Sequence, residues 1–141
     1  MSLEIDLSLG VREYSRGLDG ARFFYINGIR TNFRVVEFAC KDGSDQLYVD
    51  SELVDKLQIM RNYFNRPIVI NSGYRTADWN QKVGGSPNSQ HLKGKAADIY
   101  VSGKSSKEVA DFARKIGFRG VGLYDTFVHV DTRDKPSYWT N

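Results

Sequence analysis

The segment GVGLYDTFVHVDTR, residues 120–133, decides the fold class. It predicts two short apolar strands, GVGLY and TFVHVDTR, joined by a tight turn at Asp125. Two strands linked in this way are typical of an antiparallel sheet. Because helical segments and further strands precede this pair, we predict one α+β domain with a small, mostly antiparallel sheet flanked by helices.

The elements before this pair follow from hydrophobic spacing and from capping residues. The clearest helix is DSELVDKLQIMRNYFN, residues 50–65, whose apolar residues share one face: Leu53, Val54, Leu57, Met60, Tyr63 and Phe64. Ser105 and Glu108 form a capping box that predicts a second helix over residues 105–117, and Thr76 caps a short helix over 76–83. Strands are predicted at RPIVINSG (66–73), KAADIYV (95–101) and residues 23–26.

Length, charge and composition exclude several classes of protein. The 141 residues fit one domain, which we divide into an N-terminal extension (1–31) packed on a main domain (32–141). The net charge of +3 comes from basic residues interleaved with acidic ones, so we expect no nucleic-acid partner. No apolar run is long enough to span a membrane, and MSLEIDLSLG lacks the basic start of a secretory signal. We expect a monomer without a signal peptide in this chain.

Acidic residues inside apolar strands are the first indication of a functional site. Residues two apart in a strand share a face, so Val128 and Val130 face the core while His129 and Asp131 lie on the opposite side. By the same alternation, Asp98 lies on the face opposite Ala97 and Ile99. A buried carboxylate is costly unless a positive group meets it.

The two histidines of the chain, His91 and His129, and Asp98 together offer two imidazoles and a carboxylate. This ligand set suits a catalytic zinc ion with one coordination position left open. A single strand histidine is more often an ordinary core or surface residue, and a single aspartate more often caps a turn. The spacing by itself therefore leaves both interpretations open. Cys40, the one cysteine, excludes an internal disulfide and a cysteine-based zinc site.

Two motifs resemble those of a known family. The pattern SGYRT…N…GG…NSQHLKGKAADI, followed by GVGLYDTFVHVDTRD, is similar to the zinc D-alanyl-D-alanine carboxypeptidase family. That family includes the vancomycin-resistance dipeptidases and the L-alanyl-D-glutamate endolysins of phages, and shares its zinc fold with the hedgehog signalling domain. The resemblance runs from about residue 32 to residue 133 and includes EFACKDG. It implies a hedgehog-like fold and a zinc ion bound by His91, Asp98 and His129.

The same resemblance assigns substrate contacts. Arg75, in SGYRT, matches the family's active-site arginine, which stabilises an oxyanion or holds a substrate carboxylate, as a forked and permanently charged donor can. An ion pair with Asp78 on the surface is the alternative for this side chain. Ser89 matches a serine that contacts substrate. Apart from the resemblance, Tyr124 is expected to bind substrate in a groove that Tyr74, Trp79 and Trp139 could also line, the alternative being that these aromatic residues belong to the core.

The general base departs from the family's patterns. Many relatives have a glutamate three residues before the last zinc histidine, where this chain has Thr126, and another branch has a histidine where this chain has Phe127. We predict Asp131 as the general base because it lies two residues from His129 on the same strand face, and Asp125 is the weaker candidate. The alternative for Asp131 is a carboxylate that orients His129 or pairs with Arg133.

The resemblance implies a zinc-dependent peptidase that hydrolyses peptidoglycan stem peptides, as a D-Ala-D-Ala carboxypeptidase or an L-Ala-D-Glu endopeptidase. Such an enzyme acts at the bacterial cell wall, secreted or released by phage lysis as an endolysin. The alternative is a non-catalytic zinc-fold module that binds the cell wall, as hedgehog-type domains keep the fold without the reaction. The departure from the family's general-base patterns at Thr126 and Phe127 motivates this alternative.

Overall fold

Five strands form the central sheet in the computed structural model, which describes residues 3–141. Across the sheet they follow the order β10 (Ser137–Thr140), β8 (Gly120–Leu123), β9 (Val128–Asp131), β7 (Ala96–Val101) and β6 (Ile68–Ser72). Neighbouring strands run antiparallel except β8 and β10, which are parallel. The predicted α+β class is confirmed, whereas a hedgehog-like arrangement stays a prediction.

The other elements surround this sheet. Two smaller sheets are formed by β1 (Leu3–Glu4) with β3 (Phe23–Ile26) and β4 (Ile29–Arg34), and by β2 (Val11–Ser15) with β5 (Gln46–Asp50). The α-helices are α1 (Arg16–Asp19), α2 (Ser51–Phe64), α3 (Ala77–Lys82) and α4 (Ser106–Lys115). Short 3₁₀ turns cover Leu7–Leu9, Val35–Phe38 and Gln90–Lys93. No described helix has the length and apolar character needed to cross a membrane.

The central sheet has one aliphatic face and one polar face. Alternate residues of β7, β8 and β9 enter the core with α4 packed against them: Ala97, Ile99, Val101, Val121, Val128 and Val130. On the opposite face, the register aligns Ser72, Asp98, His129, Gly122 and Trp139 in one row across all five strands. We call these five residues the polar row, and they position the candidate site.

The predicted helices form where apolar spacing places α2 and where side-chain caps place α3 and α4. Helix α2 begins after Asp50 and ends at Asn65, whose left-handed backbone (φ 52°) stops it. The capping box of Ser105 and Glu108 is present at the start of α4. Tyr63 departs from the predicted buried face of α2, since it is 64% exposed and stacks on Phe112 of α4 at 3.9 Å.

Strand β10 was not predicted from the sequence. It is four residues long, follows Pro136, and completes the sheet by pairing in parallel with β8, which precedes it by some fifteen residues. A short edge strand of this kind depends on a partner far along the chain rather than on its own sequence. The proposed boundary between residues 31 and 32 falls inside β4, and the two-part division of the chain stays a prediction.

Asp42 connects the loop before β5 to the start of α3. Its carboxylate accepts hydrogen bonds from the Ser44 backbone N–H and the Thr76 hydroxyl, both at 2.9 Å. The hydrogen bonds with Ser44 lower the pKa of Asp42 from 3.8 to about 2, and the weaker effect of Thr76 acts in the same direction, whereas burial opposes both. The ionised form is therefore favoured in the folded chain.

We expect Asp42→Asn to lower the free energy of unfolding at neutral pH by up to about 1 kcal/mol, the typical net value of such contacts. Because the folded-state pKa is depressed, this stabilisation is present above pH 3.8 and is lost as the pH falls towards 2. Urea unfolding of both proteins between pH 7 and pH 2 measures the difference. A gap that stays constant with pH would contradict the assignment.

Candidate metal centre

The structure brings His91, Asp98 and His129 together. His91 lies in the 3₁₀ turn that precedes β7, while Asp98 and His129 are direct cross-strand neighbours in the polar row. Asp98 Oδ1 lies 3.2 Å from His91 Nε2 and 3.0 Å from His129 Nδ1. One ligand atom from each residue lies within 4.8 Å of the others, an arrangement that could hold a metal ion.

The contacts on the far side of each imidazole fix which nitrogen carries the proton. Nδ1 of His91 lies 2.7 Å from the Gly73 carbonyl oxygen, which can only accept, so this nitrogen is the donor. Nε2 of His129 lies 2.7 Å from Asp131 Oδ2 and is likewise the donor. In the neutral imidazoles, the nitrogens that face Asp98 therefore carry lone pairs.

In this neutral form three acceptor atoms face one another, an arrangement that a metal cation between them would satisfy. Burial acts to lower the pKa of His129, but hydrogen bonds with Asp131 and Asp98 outweigh it and raise the pKa. Burial likewise opposes ionisation of Asp98, yet the hydrogen bonds with His129 and His91 hold its pKa well below the usual range. Two imidazole nitrogens and a carboxylate oxygen fit a zinc ion, and each imidazole already has the outer acceptor that orients such ligands.

Arg75 lies beside this group rather than on the surface. Its Nη2 donates to Asp98 Oδ2 at 3.3 Å, and its Nε donates to Ser72 Oγ at 3.1 Å. Asn80, which is 3% exposed, accepts from Nη1 at 3.2 Å and anchors itself by donating to the Ser86 carbonyl. The partner of Arg75 is therefore Asp98, not the Asp78 that neighbours it in sequence.

Asp131 is placed differently from a general base. It is fully buried, and it contacts the His129 nitrogen on the far side of the ring from Asp98. Arg133 binds both of its oxygens through Nε, Nη2 and the backbone N–H. Burial would raise the pKa of Asp131, but the hydrogen bonds from His129 and Arg133 hold it far below its usual range. This placement does not support the base role and suits the alternative of orienting His129.

Asp125, the weaker candidate for the base, does not reach the site either. It lies in a neighbouring groove with Thr126, between the end of β7 and the start of α4, and its backbone carbonyl accepts from the Ser106 hydroxyl. Among the described residues that line the pocket around His91, Asp98 is the one carboxylate. The oxygens of Asp98 already face His91, His129 and Arg75.

An open pocket of about 620 Å³ surrounds the three candidate ligands. Ser89 and Tyr124, the predicted substrate contacts, both line it together with Arg75. The Ser89 hydroxyl also accepts a hydrogen bond from the His91 backbone N–H at 3.1 Å, so it supports the turn that carries His91. Whether these side chains contact a substrate stays a prediction.

Sequence reasoning missed Asn80 as a residue of the site. It named Arg133 as the alternative partner of Asp131 and Trp139 among aromatic residues of a groove, but it did not show that they hold the predicted residues in place. Asn80 fixes Arg75, Arg133 fixes Asp131, and Trp139 adjoins His129 with 5.2 Å between ring centroids. One signal was available, since glycines at 120 and 122 alternate with Val121. A Cβ at Gly120 would overlap the carboxyl group of Asp131, and one at Gly122 would overlap the indole of Trp139.

Two curated proteins match about half of the chain. The zinc D-Ala-D-Ala carboxypeptidase of Streptomyces albus G is 41% identical over 64 residues, which cover 45% of this chain and 25% of that protein. A probable peptidoglycan L,D-endopeptidase, MepK of Haemophilus influenzae, is 40% identical over 75 residues, covering 48% of this chain and 40% of that protein. The chain thus spans well under half the length of either relative.

The family model described as Peptidase M15 matches residues 24–131. This range includes Arg75, the three candidate metal ligands and Asp131. It begins at β3 and so extends further towards the N-terminus than the motifs that carried the resemblance. Because the match covers most of the chain, the chain belongs to the peptidase M15 family.

Proposed function

We propose that this chain is a zinc-dependent peptidase that hydrolyses peptide bonds in the stem peptides of bacterial peptidoglycan. The observation that carries the proposal is the convergence of three lone-pair atoms, from His91, Asp98 and His129, beside Arg75 in an open pocket. Family membership and the names of the two relatives support a peptidase of the cell wall. D-Ala-D-Ala carboxypeptidase and L-Ala-D-Glu endopeptidase activity, including that of an endolysin, both fit this site.

A zinc ion bound by these residues supplies positive charge that polarises a peptide carbonyl and lowers the pKa of water. Arg75 then has two tasks: it balances the charge of Asp98, and its exposed edge can stabilise negative charge that develops on the carbonyl oxygen. Its three hydrogen-bond partners hold the guanidinium in one orientation before substrate arrives. Such preorganisation is what makes charge stabilisation effective in an active site.

Asp131 and Arg133 act, in this proposal, on the orientation of His129. The carboxylate accepts the Nε2 proton of His129 and so keeps Nδ1 free to bind a metal ion. Arg133 neutralises the buried carboxylate through two side-chain donors and a backbone donor. In this assignment Asp131 orients His129 and is not the proton acceptor of the reaction.

A second candidate function is that of a zinc-fold module that binds the cell wall without hydrolysing it. It is motivated by one observation: within the described pocket lining, no carboxylate is available as a base besides Asp98. Both candidates require the metal group and both place the protein at the bacterial cell wall. They differ only in whether products form.

Incubation of the zinc-loaded chain with purified muropeptides separates the two candidates. We expect mass spectrometry to detect free D-alanine or new amino termini, and we expect no products after removal of metal with a chelator. Restoring zinc should restore hydrolysis, because the ligand atoms are held by the fold rather than by the metal alone. Muropeptides that bind the zinc-loaded chain but stay intact would support the binding module and contradict the peptidase.

A further inference from the structure

Trp139 ends the polar row next to the candidate metal ligands. Strand β10 aligns Trp139 with Gly122, and β9 aligns the same glycine with His129 on its other side. Because Gly122 has no side chain, the indole occupies the space above it and lies 5.2 Å from the His129 ring, centroid to centroid. Arg75 contacts the opposite end of the row at Ser72 and Asp98. The metal group thus lies between a cationic end and an aromatic end.

Tyr124 and Arg133 hold Trp139 in place. Its Nε1 donates to the Tyr124 hydroxyl at 3.1 Å, and Tyr124 in turn stacks on Phe127 with 4.4 Å between centroids and 6° between planes. The Arg133 guanidinium lies 5.2 Å from the centre of the indole ring. Tyr124, Phe127 and Trp139, which we call the aromatic wall, all line the pocket. They present a preformed apolar surface there.

The proposed substrates have one apolar feature in common at the bond that is cleaved. In both D-Ala-D-Ala and L-Ala-D-Glu, alanine provides the carbonyl that is attacked, whereas the residue that leaves differs in size and charge. When the carbonyl oxygen faces Arg75, the rest of the peptide extends towards the other end of the row. A fixed apolar wall at that end matches the alanine methyl group, the part that does not vary.

We propose that Trp139 is a specificity-determining residue that packs against the side chain of the substrate residue whose carbonyl is attacked. The inference rests on the proposed function and names the part of the substrate that the aromatic wall contacts. Tyr124 and Arg133 are positioning residues for Trp139. Loss of one buried methyl group corresponds to about a fourfold change in affinity.

The first test compares stem pentapeptides that carry alanine or glycine at the residue that donates the cleaved carbonyl. In the wild type we expect glycine to lower kcat/KM about fourfold, and in Trp139→Ala we expect this penalty to disappear. Tyr138→Ala is the matched control, since Tyr138 lies on the opposite face of the same strand, 44% exposed and against Arg114. An unchanged glycine penalty in Trp139→Ala would overturn the inference.

A second readout does not depend on hydrolysis. In Trp79→Phe, Trp139 is the one remaining tryptophan, so its fluorescence reports its own surroundings. Titration of the zinc-loaded variant with the alanyl pentapeptide should shift the emission, and the glycyl peptide should need about four times the concentration. If the peptide is not hydrolysed but the Trp139 emission shift saturates as peptide is added, the inference stands and the peptidase proposal fails. If the peptide is bound or hydrolysed while the Trp139 emission does not shift, the inference is wrong, whereas the peptidase proposal is unaffected.

Discussion

His129→Ala should abolish hydrolysis of stem peptides, with a loss of at least about 1000-fold in kcat/KM. The imidazole provides one of the three converging ligand atoms, and the metal charge is worth several kcal/mol of transition-state stabilisation, with each 1.4 kcal/mol equal to a factor of ten. The variant also leaves the Asp131–Arg133 pair intact, so the far side of the site is still neutralised. Initial rates on muropeptides measure the loss.

Tyr100→Ala provides the control for His129→Ala. Tyr100 lies on β7, the strand that carries Asp98, but its side chain is exposed and lines a different groove. We expect this variant to keep its zinc and nearly all of its activity. If His129→Ala retained more than about a tenth of the wild-type rate, the ligand assignment would be wrong, because the reaction would then proceed without the imidazole that we assign to the metal.

Asp131→Asn should weaken zinc binding by 10- to 100-fold, the usual effect of removing a carboxylate that orients a metal-binding histidine. The amide keeps the size of the side chain in a fully buried position, so the packing against Gly120 is preserved. It cannot, however, provide the negative charge that holds the Nε2 proton of His129 and pairs with Arg133. Competition with a zinc-binding dye measures the affinity.

Activity of Asp131→Asn at rising zinc concentrations distinguishes orientation of His129 from proton transfer. If Asp131 orients the ligand, saturating zinc should recover most of the hydrolysis, since the chemistry itself is untouched. A general base contributes about 10²- to 10⁴-fold, and its loss would persist at every zinc concentration while zinc affinity stayed normal. Asp134→Asn, at an exposed position in the loop that follows β9, should change neither quantity.

Local sequence signals predicted the parts of the fold that depend on local interactions. Helix α2 and the capping box of Ser105 and Glu108 form within a few residues of chain, so spacing and caps were sufficient. Strand β10 was missed because Ser137–Thr140 forms a strand through its pairing with β8, which local sequence signals do not show. The N-terminal strand β2 was missed for the same reason, since it pairs with the distant β5. Strand β4 was also missed, although it pairs with the neighbouring β3 across the turn at Asn27 and Gly28.

The candidate site shows the same division. Strand alternation correctly put Val128 and Val130 in the core and left His129 and Asp131 on the polar face. It could not show that His129 lies opposite Asp98, because that depends on the register between β7 and β9. Nor could it show that Nδ1 faces Asp98, because Asp131 orients the ring from its far side. Asp131, two residues after His129, contacts the side of the imidazole ring that faces away from Asp98. Arg75 likewise binds an aspartate 23 residues away, which its neighbours in sequence could not reveal.

The number of zinc ions bound per chain tests the central claim most directly. The wild type, dialysed against a weak chelator and measured by inductively coupled plasma mass spectrometry, should retain one zinc ion per chain. His91→Ala should retain none, because it removes one of the three atoms that we propose bind the ion. A wild type that binds no zinc, or a His91→Ala variant that binds as much as the wild type, would contradict the account.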